Sequence, residues 1–330
     1  PAPVVRATGP ARPVYTGAKW GLRFVPDGRI NFVTDRNGAA TVWWASGTAA
    51  GAGHTVATRT RDFLDFVPLT LSGGAAVGGL GPAGGATAFD ADYAGPGSIL
   101  PDPASADPRR LIMFYHGENH TYSGRRRDDA YHAGIGIARS SDGGRTWVRG
   151  GQILDGMIRH PAEPPRSATG AGMPSVVVAD GWFHLFYVDW NTTLPDVIHH
   201  ARAPLSGGGR PGTWRKWYDG RFGEPGLGGR STPVALPPRP ASIYAGMPSV
   251  GWNTALGLWL MVFESDDAFW AVASRDLAAW SAAAPILANP AGAASRRTGA
   301  VWMSYATPIT PGAPSDRITG ASAWLYLARG

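Results

Sequence analysis

Acidic side chains recur at a fixed place in this chain. Phe32-Val33-Thr34-Asp35, Phe114-Tyr115-His116-Gly117-Glu118, Phe186-Tyr187-Val188-Asp189 and Met261-Val262-Phe263-Glu264 each run an apolar stretch into a carboxylate. Loops between such stretches add Asp90 and Asp92, Asp155 with Arg159 and His160, and Glu224 with Arg230. Two carboxyl groups at one site can split a glycosidic bond: one protonates the leaving oxygen and the other serves as base or nucleophile. Crowding acids on one rim also drives their pKa values apart. The candidate catalytic set is Asp92, Glu118, Asp189, Glu224 and Glu264.

The neighbours of these acids suit a polar ligand. His116, Asn119 and His120 surround Glu118, and Asp189-Trp190-Asn191 sets a carboxylate beside an aromatic face on which a sugar ring can stack. Phe222-Gly223-Glu224-Pro225-Gly226 braces a glutamate between Gly and Pro. Asp35, His116, His120, Arg159, His160, Trp190 and Arg230 form the candidate substrate-binding set. Each has a plainer reading: acids end buried strands because strand ends meet water, Trp190 is core, and Glu224 sits in a structural turn. His199 and His200 are adjacent in a strand and face opposite sides, so both cannot enter one metal site.

Positioning such groups requires a repeated scaffold. The phrase Ala-Gly-x-x-Ser-aliphatic occurs at Ala94 to Ile99, Ala171 to Val176 and Ala245 to Val250, at intervals of 77 and 74 residues. Strand signals follow each phrase in fours, as in Ser98 to Leu100, Leu111 to Tyr115, Gly134 to Ala138 and Thr146 to Val148. The third unit reads Ser175 to Val178, Trp182 to Val188, Val197 to Ala201 and Trp214 to Trp217; the next runs from Val250 to Trp280. An earlier unit reads Gly21 to Val25, Arg29 to Val33, Thr55 to Arg59 and Phe66-Val67. Val301 to Tyr305 and Ala323 to Leu327 begin a last one, which Val4-Val5 and Val14-Tyr15 can complete. The expectation is all-β: a five-bladed β-propeller of four-stranded blades, residues 1–330 as one domain, its last blade closed by N-terminal strands.

Composition narrows the partners. The net charge of +6 comes almost wholly from arginine, since lysine stands only at 19 and 216. The basic run Arg125-Arg126-Arg127 is followed at once by Asp128-Asp129, which reads as a solvated loop rather than a nucleic-acid stripe. An acidic glycan stays open as a partner. The absence of cysteine excludes thiolate nucleophiles and cysteine-based zinc sites, and no apolar run reaches a membrane span. Gly79-x-Gly81-x-x-Gly84 lacks a βαβ context and contains Pro82, so dinucleotide binding is not expected. The opening Pro-Ala-Pro without an initiator Met fits a mature exported form, secreted or periplasmic, of a bacterial protein. A monomer is expected.

Ser140-Ser141-Asp142-Gly143-Gly144-Arg145-Thr146-Trp147 resembles the Asp box of sialidases and other propellers, a hairpin stabiliser. Arg61 to Phe66 and Ser274-Arg275-Asp276-Leu277-Ala278-Ala279-Trp280 resemble turns of five-bladed glycosidases of the arabinanase/xylosidase type, glycoside hydrolase family 43 and relatives. Met-Pro-Ser-Val at 173 and 247 resembles the Asp-Pro-Ser-Val that opens blades there, with Met173 and Met247 in place of a catalytic Asp. The resemblance implies an inverting furanosidase or arabinanase, with Glu224 or Glu118 as acid and Asp92 as base. It implies no catalytic cofactor and leaves room for a structural calcium on the ring axis. Two other functions remain open. One is a sialidase-like hydrolase drawing on Arg36, Arg159, Arg230 and Arg297; the other is a non-catalytic carbohydrate-binding propeller.

Overall fold

A computed structural model describes residues 5–14, 25–47, 53–69, 79–191, 195–235, 244–289 and 303–329. Among them the regular structure is β, apart from one 3-10 turn at Leu205–Gly207. The strands fall into successive antiparallel units, each laid down in chain order. The second unit runs Tyr93–Pro101, Leu111–Asn119, Tyr131–Ser140 and Val148–Leu154. The third runs Ala168–Ala179, Trp182–Trp190, Val197–Pro204 and Arg215–Tyr218, with Arg221–Pro225 added outside. The fourth runs Ala245–Asn253, Leu258–Ser265, Ala268–Ser274 and Ala284–Ala288. Met303–Ile309 pairs with Trp324–Arg329 in the last unit. Second strands such as Leu111–Asn119 are buried along nearly their whole length, with an apolar run from Leu111 to Tyr115, because both faces are covered.

The first unit differs from its expected layout. Its first strand is Asn31–Thr34, and its second is Ala40–Gly47, followed by Gly53–Thr60 and Val67–Pro68. Asp35-Arg36-Asn37-Gly38 makes the hairpin turn: Asp35 Oδ1 accepts from the Asn37 and Ala39 amides, and Gly38 takes φ 75°. Asp35 therefore ends a first strand, not a second. Gly21 to Phe24, Val4 and Tyr15 lie outside the described residues. Residues 5–14 form no strand, although Val5 packs against the core cluster of Leu260, Val262 and Phe269, and Val14 against that of Phe32 and Ile309.

The repeated serines have a common purpose. Arg29 sends its guanidinium to Ser98 Oγ (2.9 Å), Ser175 Oγ (3.1 Å), Ser249 Oγ (3.1 Å) and Asp316 Oδ2 (2.9 Å). One buried cation thus joins the first strands of the second, third and fourth units to the last unit. Two of the serines also reach forward: Ser98 Oγ accepts from the Val176 amide and Ser175 Oγ from the Val250 amide. The last unit meets the first where Thr34 N donates to Pro314 O, Ile30 N to Thr307 Oγ1 and Phe32 N to Asp316 Oδ1. Arg29 occupies the point of convergence, so the residues there do not fit a calcium ion. Nor does any group of three or more His, Asp or Glu among the described residues suit a metal.

A bulge precedes each of these contacts. Register slips between Pro96 and Ser98, Gly172 and Ser175, Gly246 and Ser249, and Ser304 and Thr307. Met173 (φ 53°), Met247 (φ 52°) and Tyr305 (φ 64°) are held in the left-handed region inside those bulges. Non-glycine residues there cost on the order of 1 kcal/mol or more and gather at functional sites. Bulges re-aim side chains out of the ladder.

Candidate active site

The bulges open a cavity above Arg29. It is open to solvent and is lined by Asp27, Tyr93, His116, Met173, Met247 and Tyr305, with Arg29 in its wall. Asp27 stands two residues before Arg29, as Met173 stands two before Ser175 and Met247 two before Ser249. Its amide donates to Ala45 O, extending the first strand backward. Its carboxylate Oδ1 accepts from the Tyr305 hydroxyl at 3.0 Å, and its carbonyl accepts from the Tyr93 hydroxyl at 3.2 Å. Burial first, and then the charges of Asp27 and Glu118, push the Tyr93 phenol well above its usual pKa, so it stays a donor.

Asp27 is absent from the sequence-derived set. The signal was positional: four residues after it, Asn31 begins the strand equivalent to those opened by Met-Pro-Ser, but Asp27-Gly28-Arg29 carries neither Ala-Gly nor Ser.

Beside the cavity, His116, Glu118 and His120 alternate along one strand and its extension, which sets all three on one face. Glu118 Oε1 bonds His116 Nε2 at 2.9 Å and Oε2 bonds His120 Nε2 at 2.8 Å. Burial pushes the Glu118 carboxyl up, but the two imidazole hydrogen bonds outweigh it and bring its pKa down to about 2. His120 Nδ1 meets the Arg127 carbonyl at 3.0 Å. A carbonyl and a carboxylate both accept, so both nitrogens of His120 carry hydrogen and the ring is an imidazolium. Consistently, burial lowers its pKa but Glu118 more than restores it, leaving it raised. Asp92 closes the cluster by accepting from the His120 amide at 2.8 Å and pairing with Arg126. It braces the turn rather than lining the cavity.

The remaining candidates are dispersed. Trp190 is buried and packs edge-on against His116 at 5.9 Å and Tyr131 at 6.0 Å, so it backs His116 instead of offering a stacking platform. Asp189 is fully buried behind that wall. Desolvation, only partly offset by Lys216, raises it to about 7; Oδ2 accepts from the Met157 amide. It lies outside the cavity lining. Glu264 accepts from Ser304 Oγ and the Tyr305 amide, which fixes the strained Tyr305 backbone.

Glu224 and Arg230 pair at 2.9 Å on the outermost hairpin of the third unit, because the chain adds a fifth strand there. That removes Glu224 from the acid role. Asp35 pairs with Arg59 at the turn end of its strand, opposite the end that carries Arg29 and Asp27. Arg159 and His160 are exposed loop residues, and His160 lies over His132 and Tyr122.

Buried imidazoles make acid lability predictable. Desolvation holds His132 and His184 down to about 4 and His199 to about 3. Depressed folded values mean that stability is present above the unfolded value near 6.5 and is lost as pH falls toward 4. Asp189 acts oppositely, withdrawing stability as pH rises from about 4 to 7, but it is one proton against four, since burial also holds His200 well below its usual value. Thermal unfolding followed against pH is expected to show the midpoint falling steadily from about pH 6.5 to 4. A flat profile in that window would contradict these burial assignments.

No known family profile matches the chain, and no curated protein matches it. Solved structures do. An α-L-arabinanase of Penicillium chrysogenum, complexed with arabinobiose, aligns at 17% identity over 80% of this chain and 69% of that one, with TM-score 0.46. A family 117 glycoside hydrolase of Zobellia galactanivorans aligns at 12% identity over 87% and 75%, with TM-score 0.49. The catalytic domain of a family 62 α-L-arabinofuranosidase of Coprinopsis cinerea aligns at 14% over 91% and 81%, with TM-score 0.44.

Proposed function

We propose that the five units form a five-bladed β-propeller about Arg29 and that the protein is a glycoside hydrolase, working at the cavity above that residue. The observation that carries this reading is the placement of Asp27. A carboxylate lies in the cavity at the head of the first unit, oriented by the Tyr305 hydroxyl, with His116, bonded to Glu118, also in the lining. A fixed carboxylate can take a proton from water as that water attacks an anomeric carbon. Tyr93, Tyr305 and the two methionines supply the mixed apolar and hydroxyl surface that a sugar ring needs.

The favoured chemistry is inverting hydrolysis of a furanoside or pentose-containing glycan, in keeping with the sequence resemblance. A secreted or periplasmic setting goes with such a substrate. A sialidase-like reading asks for an arginine cluster, but Arg36 and Arg159 are exposed, Arg230 is engaged by Glu224, and Arg297 lies outside the described residues. Incubation of the protein with arabinan, xylan, galactan and mycobacterial-type arabinan tests the proposal. Release of reducing sugar from at least one is expected, with inverted anomeric configuration in the first product seen by NMR. No release from any of them would refute the hydrolase reading; a retained anomer would refute the inverting mechanism.

A further inference from the structure

The cavity is divided in its chemistry. Asp27 comes from the first unit, Tyr93 from the second and Tyr305 from the last, and both phenols spend their protons on Asp27. Arg29 is committed to three serines and Asp316. His116 holds Glu118 through Nε2 and has Nδ1 packed against Gly172. Met173, and Met247 with Pro248, come from the third and fourth units. In the proposed ring of five these are the two units that do not neighbour the first. Polar groups therefore gather around Asp27, and thioethers stand across from it.

Both methionines are held there at a cost. Met173 takes φ 53° and Met247 φ 52°, inside bulges that turn their side chains out of the ladder. The second unit makes the same serine contact to Arg29 with Pro96 at that place and no left-handed residue in its bulge. The strain at the methionines is thus not needed for the serine contact, and strain of this kind gathers at functional sites. Both side chains are half-buried at the open cavity. Thioethers and a proline ring offer a sugar hydroxyl no donor and only weak acceptors. A hydroxyl buried there is penalised, whereas a methyl group gains by leaving water.

We propose that Met173 and Met247 make the site specific for a terminal deoxy sugar, one whose ring carries a methyl group where the common sugar carries a hydroxymethyl. The selection rests on the glycoside hydrolase reading. With the anomeric carbon at Asp27, the ring substituent remote from it meets the two methionines. They discriminate by contact and take no part in bond making.

Kinetics on a matched pair of substrates tests this. Wild-type kcat/KM on 4-nitrophenyl 5-deoxy-α-L-arabinofuranoside is expected to exceed that on 4-nitrophenyl α-L-arabinofuranoside by about 10–100-fold. Met173→Gln and Met247→Gln, which put an amide within reach of a hydroxyl, should each bring the ratio below about threefold, while Met173→Leu and Met247→Leu should keep it. Equal kcat/KM on the two substrates, or a ratio that the glutamines leave intact, would overturn the proposal. Wild-type protein inactive on both would count against the hydrolase reading, and binding then decides the specificity. The methyl NMR signals of Met173 and Met247, assigned with the leucine variants, are followed as methyl 5-deoxy-α-L-arabinofuranoside or methyl α-L-arabinofuranoside is added. Both signals are expected to shift at about tenfold lower concentration of the deoxy ligand. Shifts at equal concentrations, or none with either ligand, would overturn it.

Discussion

Arg29→Met is expected to cost the fold more than any other single substitution in the protein. The change leaves buried Asp316 with only Arg317, at 3.3 Å, and strips a donor from Ser98, Ser175 and Ser249 together. Breaking a buried ion pair from one side costs about 3–5 kcal/mol, because the remaining charge is uncompensated. For a chain of this size that corresponds to a fall of roughly 4–7 °C in the thermal midpoint. Arg29→Lys should recover only part of it, since one ammonium cannot reach four partners spread around a planar fork. Chelators should leave the wild-type midpoint unchanged, the guanidinium filling the place a calcium would take. Calorimetry reads all three. A chelator-sensitive midpoint, or an Arg29→Met midpoint within about 1 °C of wild type, would contradict the role given to Arg29.

Asp27→Asn carries the largest expected effect on activity. Asparagine keeps an oxygen to accept the Tyr305 hydroxyl, so the bulge and the cavity should persist. It cannot accept a proton from water. Loss of a general base typically costs 10²–10⁴-fold, and kcat is expected to fall by about 10³ with little change in KM, since the interaction lost is made in the transition state. Steady-state kinetics on the glycan selected by the substrate panel measures it. Activity within tenfold of wild type would remove Asp27 from the mechanism. Glu224→Gln, on the outer hairpin, should leave kcat essentially unchanged.

Much of the architecture could be read from the chain. The Ala-Gly-x-x-Ser phrase marked the head of three units because it encodes a bulge and a serine that staples the next unit. Its purpose stayed hidden, since the partner of all three serines is one arginine some 70 to 220 residues away. The first unit was misread because its head has Arg29 where the others have serine. The buried run through Trp43 and Trp44 went unassigned, although Asn37-Gly38 is a strong hairpin signal. His116, Glu118 and His120 were legible as a polar cluster following an apolar strand, and their alternation already set them on one face. Trp190 and Glu224 misled for a common reason. An aromatic beside an acid, or a glutamate between Gly and Pro, looks the same in sequence whether it faces a ligand, the core or an outer hairpin.

The central claim is that a sugar occupies the cavity above Arg29, and a crystal structure of Asp27→Asn soaked with an oligosaccharide that the wild type cleaves tests it most directly. A sugar ring is expected against Met173, Met247 and Tyr305, with its anomeric carbon facing residue 27. Sugar bound elsewhere, with that cavity empty, would contradict it.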